Sequence, residues 1–102
     1  MPAVALFRSL ADPARLAIIQ HLTAREARVV DLTGVLGLAQ STVSAHLACL
    51  RDCGLVDVRP EGRASVYSLR QPALVGLLAA ADAVLEATGN AVALCPAYGQ
   101  VR

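Results

Sequence analysis

Apolar positions recur along this chain with helical spacing first, then with a period of two, then with helical spacing again. Val4, Leu6, Phe7 and Leu10 suggest an opening helix over about residues 3–10. Leu16, Ile19 and Leu22, with Ile18 adding bulk, predict a second helix over about 13–23. Asp12-Pro13 is its start signal, because Asp caps a helix well and Pro at the first helical position loses no hydrogen bond. Leu32, Val35 and Leu36 stand at i, i+3 and i+4 and predict a short helix, Val30–Leu36, with Gly37 as its stop. After a tight Leu38-Ala39 connector, Val43, Leu47 and Leu50 at i, i+4 and i+7 predict a helix over Gln40–Asp52, closed by Gly54.

Beyond Gly54 the rhythm changes. Leu55, Val56 and Val58 run into the turn-like cluster Pro60-Glu61-Gly62-Arg63, and Ser65–Leu69 alternates polar and apolar residues. Two short strands about a four-residue turn predict a β-hairpin. Pro72 opens a last helix over about 72–87, with Leu74, Leu77, Leu78, Ala81, Val84 and Leu85 covering a wide arc and further alanines extending it nearly all round. A helix of that kind is buried on more than one side. Residues 88–102, punctuated by Gly and Pro, are expected to form a flexible C-terminal tail. The expected fold is mainly α with a β-hairpin wing: a winged helix-turn-helix domain over residues 1–87.

Composition narrows the class. A chain of 102 residues is one domain by length, and with 56% hydrophobic residues it has far too much apolar material for a disordered chain. So small a domain has a thin core. Its surplus apolar residues therefore point to burial against a partner, most economically a second copy in a homodimer. The longest apolar stretch, Ala73–Leu85, is broken by Gly76 and Asp82 and falls short of the roughly 20 residues that span a membrane. Met1–Leu10 carries Arg8 and lacks the long apolar core of a signal peptide, so no membrane partner and a cytoplasmic location are expected.

The net charge of +1 says little about partners. The candidate chemistry is local. Gln40, Ser41, Thr42 and Ser44 begin the helix after the tight connector, where short hydrogen-bonding side chains suit base edges in a major groove. Arg59 and Arg63 flank the hairpin turn and suit phosphate contacts to double-stranded operator DNA; the plainer reading is a solvated hairpin tip. There is no acid pair and no nucleophile–base constellation, so the chain is not expected to be an enzyme.

Ala11-Asp12-Pro13-Ala14-Arg15, Leu38–Leu47 (LAQSTVSAHL), Gly54-Leu55-Val56 and Gly62-Arg63 followed by Tyr67 together resemble the ArsR/SmtB family of bacterial winged-helix repressors. The resemblance covers about residues 5–87. It implies a homodimer that represses its operator until an inducer, often a metal ion, binds. It also places His46 near the DNA. Ala39 departs from the pattern, which commonly has Ser or Thr there.

Three cysteines remain. Cys49 and Cys53 are i and i+4, one turn apart on the same helix face. On a helical wheel they fall on a flank, beside the Val43/Leu47/Leu50 stripe and away from Ser41 and Ala48. The third, Cys95, lies in the tail before Pro96. Paired thiols at that spacing suit a soft ion, and three thiolates suit it better; buried inert thiols and a redox pair are the alternatives. Cys49–Leu55 (CLRDCGL) is similar to the corresponding segment of the family's cadmium/lead sensors. The resemblance implies a metal site of Cys49, Cys53 and Cys95, with Cys95 given by the other subunit and Cd(II) or Pb(II) as inducer. Zn(II) and As(III) are further candidates, as is release by thiol oxidation. His46 is a fourth ligand, a DNA contact or a contact with a helix end, and His21 a surface or dimer-facing residue. The spacing C-x-x-x-C is not that of a thioredoxin-like oxidoreductase.

Overall fold

The computed structural model describes residues 1–92, 94, 95 and 97. Its elements are α1 (Pro2–Ala11), α2 (Pro13–Ala24), β1 (Ala27–Arg28), α3 (Val29–Leu36), α4 (Gln40–Asp52), β2 (Val56–Glu61), β3 (Ala64–Leu69) and α5 (Ala73–Ala87). The expected order of helices and hairpin is borne out. The chain divides into two compact units, one of Met1–Pro72 and one that begins at Ala73.

The helix signals work as local chemistry requires. Asp12 caps α2 by accepting a hydrogen bond from the Arg15 backbone N–H at 3.0 Å, with Pro13 in the first turn. That bond holds the Asp12 carboxyl below its ordinary pKa, helped by the charges of Arg15 and His46. Arg15 in turn closes α1: its Nε donates to Ser9 O at 2.7 Å, so a cation meets carbonyls that the end of α1 leaves unpaired. At the start of α3, the Asp31 carboxylate accepts from the Arg28 backbone N–H at 2.9 Å, and this bond depresses its pKa. Gly37 ends α3, as expected.

The sheet is larger than the expected hairpin. Its order is β1-β3-β2, all antiparallel, with Ala27 opposite Tyr67 and Arg28 opposite Val66. Two residues, Ala and Arg, carry no alternation, so β1 leaves no periodic trace in the sequence. The hairpin turn is also tighter than four residues, because β2 runs through Pro60 and Glu61 and β3 begins at Ala64. Pro60 is tolerated because β2 is an edge strand. Gly62 has φ 61°, the sign that two-residue turns need to follow the twist of the strands.

The core of the first unit joins Ile18, Ile19 and Leu22 of α2, Leu32 of α3, the Val43/Leu47/Leu50 stripe of α4, and Leu55, Val56 and Val66 around the sheet. The α4 stripe is as the spacing predicts. α3 differs: Leu32 is buried, but Val35 is 58% exposed. The inward row of α3 is Val29, Leu32, Thr33 and Leu36, and Val35 lies off it.

Candidate functional site

α4 is built to present two ends. Its first turn begins at Ala39, whose φ and ψ of −63° and 149° are those of a cap but whose side chain supplies no hydrogen bond. Gln40, Ser41, Thr42 and Ser44 are all exposed there, while Val43 and Leu47 anchor the opposite side. The polar residues singled out in the sequence therefore share the outer side of a helix held from beneath.

The wing brings one more of the expected residues, Arg63, toward this end. Gln40, Arg63 and Ser65 line a cleft of about 300 Å³ together with Arg28. Arg28 was not singled out in the sequence; only its pairing with Val66 places it beside the wing. Its guanidinium also meets Asp31 at 3.5 Å. Arg59 stands differently. It pairs with Glu26, and with Glu61 at 3.2 Å, and the bond to Glu26 raises its pKa further. Glu26 is 33 positions away in sequence, so no local pattern reveals this pairing. Such half-exposed pairs are weak, and a phosphate competes with them readily. His46 is half-buried and near enough to Asp12 to act on its carboxyl, so it lies inward of the exposed polar row.

The other end of α4 carries the thiols. Leu55 N–H donates to Leu50 O (3.0 Å), Gly54 N–H donates to Arg51 O (2.9 Å), and Gly54 has φ 77°. These two bonds make a Schellman cap, with Leu50 and Leu55 both buried behind it. The last turn is thus closed firmly, and Cys53 is its capping residue. Cys49 is half-buried and Cys53 exposed, both as free thiols. They line one groove against α1, bordered by Arg8, Ser9 and Arg15. Cys95 belongs to the second unit and is also a half-buried free thiol.

Cys49 and Cys53 have the donor chemistry for a soft ion, one turn apart on one helix. Among the described residues no three His, Cys, Asp or Glu side chains gather closely enough to hold a metal ion. α4 therefore offers two thiols, and a three-thiolate set needs a contributor from outside that helix.

The model of bacterial regulatory proteins of the arsR family matches residues 12–58. Over 88 residues, 86% of this chain, it is 39% identical to a Streptomyces lividans protein named "Probable mercury resistance operon repressor", and covers 69% of that protein. The chain belongs to the ArsR family. Among its ArsR-family relatives is the transcriptional regulator CmtR of Mycobacterium tuberculosis, 47% identical over 64 residues, which are 63% of this chain and 54% of CmtR. The chain also superposes on a homodimeric winged helix-turn-helix DNA-binding domain of Mycobacterium bovis solved by NMR. That match has a TM-score of 0.75 at 28% identity and covers 83% of this chain and 79% of the other. A winged helix-turn-helix transcriptional regulator, and not an enzyme, is the result. No helix among the described residues is long and apolar enough to cross a membrane.

Proposed function

We propose that this ArsR-family chain is a cytoplasmic, homodimeric repressor that leaves its operator when a soft thiophilic ion, Cd(II) or Pb(II), binds Cys49, Cys53 and Cys95. The observation that carries the reading is the groove in which Cys49 and Cys53 stand together, at the firmly capped end of the helix whose other end exposes Gln40, Ser41, Thr42 and Ser44. The name of the Streptomyces relative, a mercury resistance repressor, supports a thiophilic inducer. The half-buried Cys95 is the third thiol, supplied by its own or the partner subunit.

Homodimerisation has its own support. Val4 and Phe7 of α1 are 44% and 57% exposed, and of α5 only Leu74 is buried although nearly every residue of that helix is apolar. A second copy covering these helices would hold two α4 helices at the roughly 34 Å repeat of one DNA turn. Gln40, Ser41, Thr42 and Ser44 would then read base edges while Arg63 and Arg28, with Arg59, hold phosphates.

A bound ion supplies a rigid link between the end of α4 and the tail. The residues do the rest: Cys49 and Cys53 fix one end of the link on the helix that reads DNA, and Cys95 draws the tail toward it. Coupling free energies of this kind are about 1–3 kcal/mol, or roughly 5–150-fold in DNA affinity. The test is fluorescence anisotropy of a labelled duplex selected by the reduced protein from random sequence, titrated with Cd(II), Pb(II), Zn(II) and arsenite. Thiolate-to-metal absorption is followed in parallel. Release of DNA by Cd(II) or Pb(II), lost in Cys49→Ser and Cys53→Ser variants that still bind the duplex, is expected. Variants that no longer bind DNA in metal-free buffer would make the cysteines structural and overturn the reading.

A further inference from the structure

Three residues stand in one row across the sheet. Arg28 on β1 and Arg59 on β2 both lie opposite Val66 of β3. Residues directly opposite one another share a face of a sheet. The two arginines therefore flank a valine that is only 6% exposed. Neighbouring strands are about 4.8 Å apart, which puts the two edge strands about 10 Å from each other. Arg59 reaches past β3 to pair with Glu26, the residue before β1. Arg28, at the other end of the row, lines the cleft that holds Gln40 and Arg63. Arg59 thus continues a cationic row that starts beside the polar end of α4.

Glu26 has no other task in the fold. It stands between the end of α2 and the start of β1, and its carboxylate makes no other hydrogen bond among the described residues. Both members of the pair are half-exposed. Pairs of that kind add little to stability. Asp31 is a different case: besides meeting the Arg28 guanidinium, it accepts the Arg28 backbone N–H at the start of α3. The pairing of Glu26 with Arg59 matters more for what it displaces. A guanidinium offers the same N–H fork to a carboxylate as to a phosphate.

We infer that Glu26 is a resident competitor for DNA: it occupies Arg59 in the free protein, a backbone phosphate displaces it in the complex, and its charge holds DNA affinity down. This deepens the operator-binding reading and rests on it. The consequence is for release. Coupling to an inducer changes affinity roughly 5–150-fold, and a change of that size empties an operator only where the affinity is moderate to begin with. Glu26 supplies the moderation through a phosphate contact, so it acts alike on every DNA sequence and leaves base reading to the start of α4.

The test is a double-mutant cycle read by fluorescence anisotropy. Wild type, Glu26→Gln, Arg59→Ala and the double variant are compared on the duplex that the wild type selects from random sequence and on a scrambled duplex, from low to moderate salt. Glu26→Gln should bind both duplexes about tenfold more tightly near 0.1 M salt, with the fall of log K against log salt steeper by about one. The gain stays below two phosphates per dimer because each Arg59 is still shared with Glu61. Its urea midpoint should stay close to that of the wild type. In the Arg59→Ala background the same substitution should leave affinity nearly unchanged. A Glu26→Gln variant with a lower urea midpoint and weaker DNA binding would make the pair structural. An equal gain with and without Arg59 would make Glu26 a general repulsive charge. Either result overturns the inference alone. A wild type that selects no duplex overturns the operator-binding reading and this inference with it.

Discussion

Asp12 joins two helices through a single carboxylate. It caps α2 through the Arg15 N–H, and Arg15 reaches back to the carbonyls that end α1. Replacing Asp12 by Ala removes the cap and should cost about 1 kcal/mol. The pH dependence follows from the sign of the shift. The folded carboxyl titrates below its unfolded value, so its contribution is complete above about pH 4 and fades as pH falls through the lower folded value. Urea unfolding of wild type and Asp12→Ala should therefore differ by about 1 kcal/mol near neutral pH and converge toward about pH 2. An unchanged gap at low pH would mean that the cap acts without its charge.

At the scale of the element, α4 has a weak start and a strong finish. Ala39 has the backbone of a cap without the side chain, so Ala39→Ser should stabilise the protein by about 1 kcal/mol, read as a higher urea midpoint with an unchanged slope. Gly54 is the reverse case. A Cβ there meets open space, but φ 77° is strained for any residue with a Cβ, so Gly54→Ala should cost about 1–2 kcal/mol through the backbone alone. The same variant should loosen the turn that presents Cys53, lowering Cd(II) affinity in a thiolate-absorption titration. The helices and their ends were readable from sequence because caps, stops and apolar spacing act over one to four residues. β1 was not, since its partner Val66 lies 38 positions beyond Arg28. The thiol pair was readable from its i, i+4 spacing. The α1 wall of its groove was not, because it exists only once α1 packs beside the end of α4.

For the whole molecule, a net charge of +1 leaves little general attraction to DNA, so affinity must come from a few placed cations. Arg59 and Arg63 flank one turn yet stand in different surroundings. Arg59 is engaged by Glu26 and Glu61, so in binding phosphate it exchanges one set of partners for another. Arg63 forms no ion pair among the described residues and lines the cleft that contains Gln40. Each phosphate neutralised steepens the fall of log K with log salt by about 0.9. Arg63→Ala in both subunits of a dimer should therefore flatten that slope by about two. Arg59→Ala should flatten it less, because a guanidinium already paired with Glu26 and Glu61 in the free protein contributes less net charge at a phosphate. Anisotropy titrations from low to moderate salt separate the two. A larger change for Arg59→Ala would mean that its ion pairs open fully on DNA and that the wing's grip lies along β2 and not at its tip.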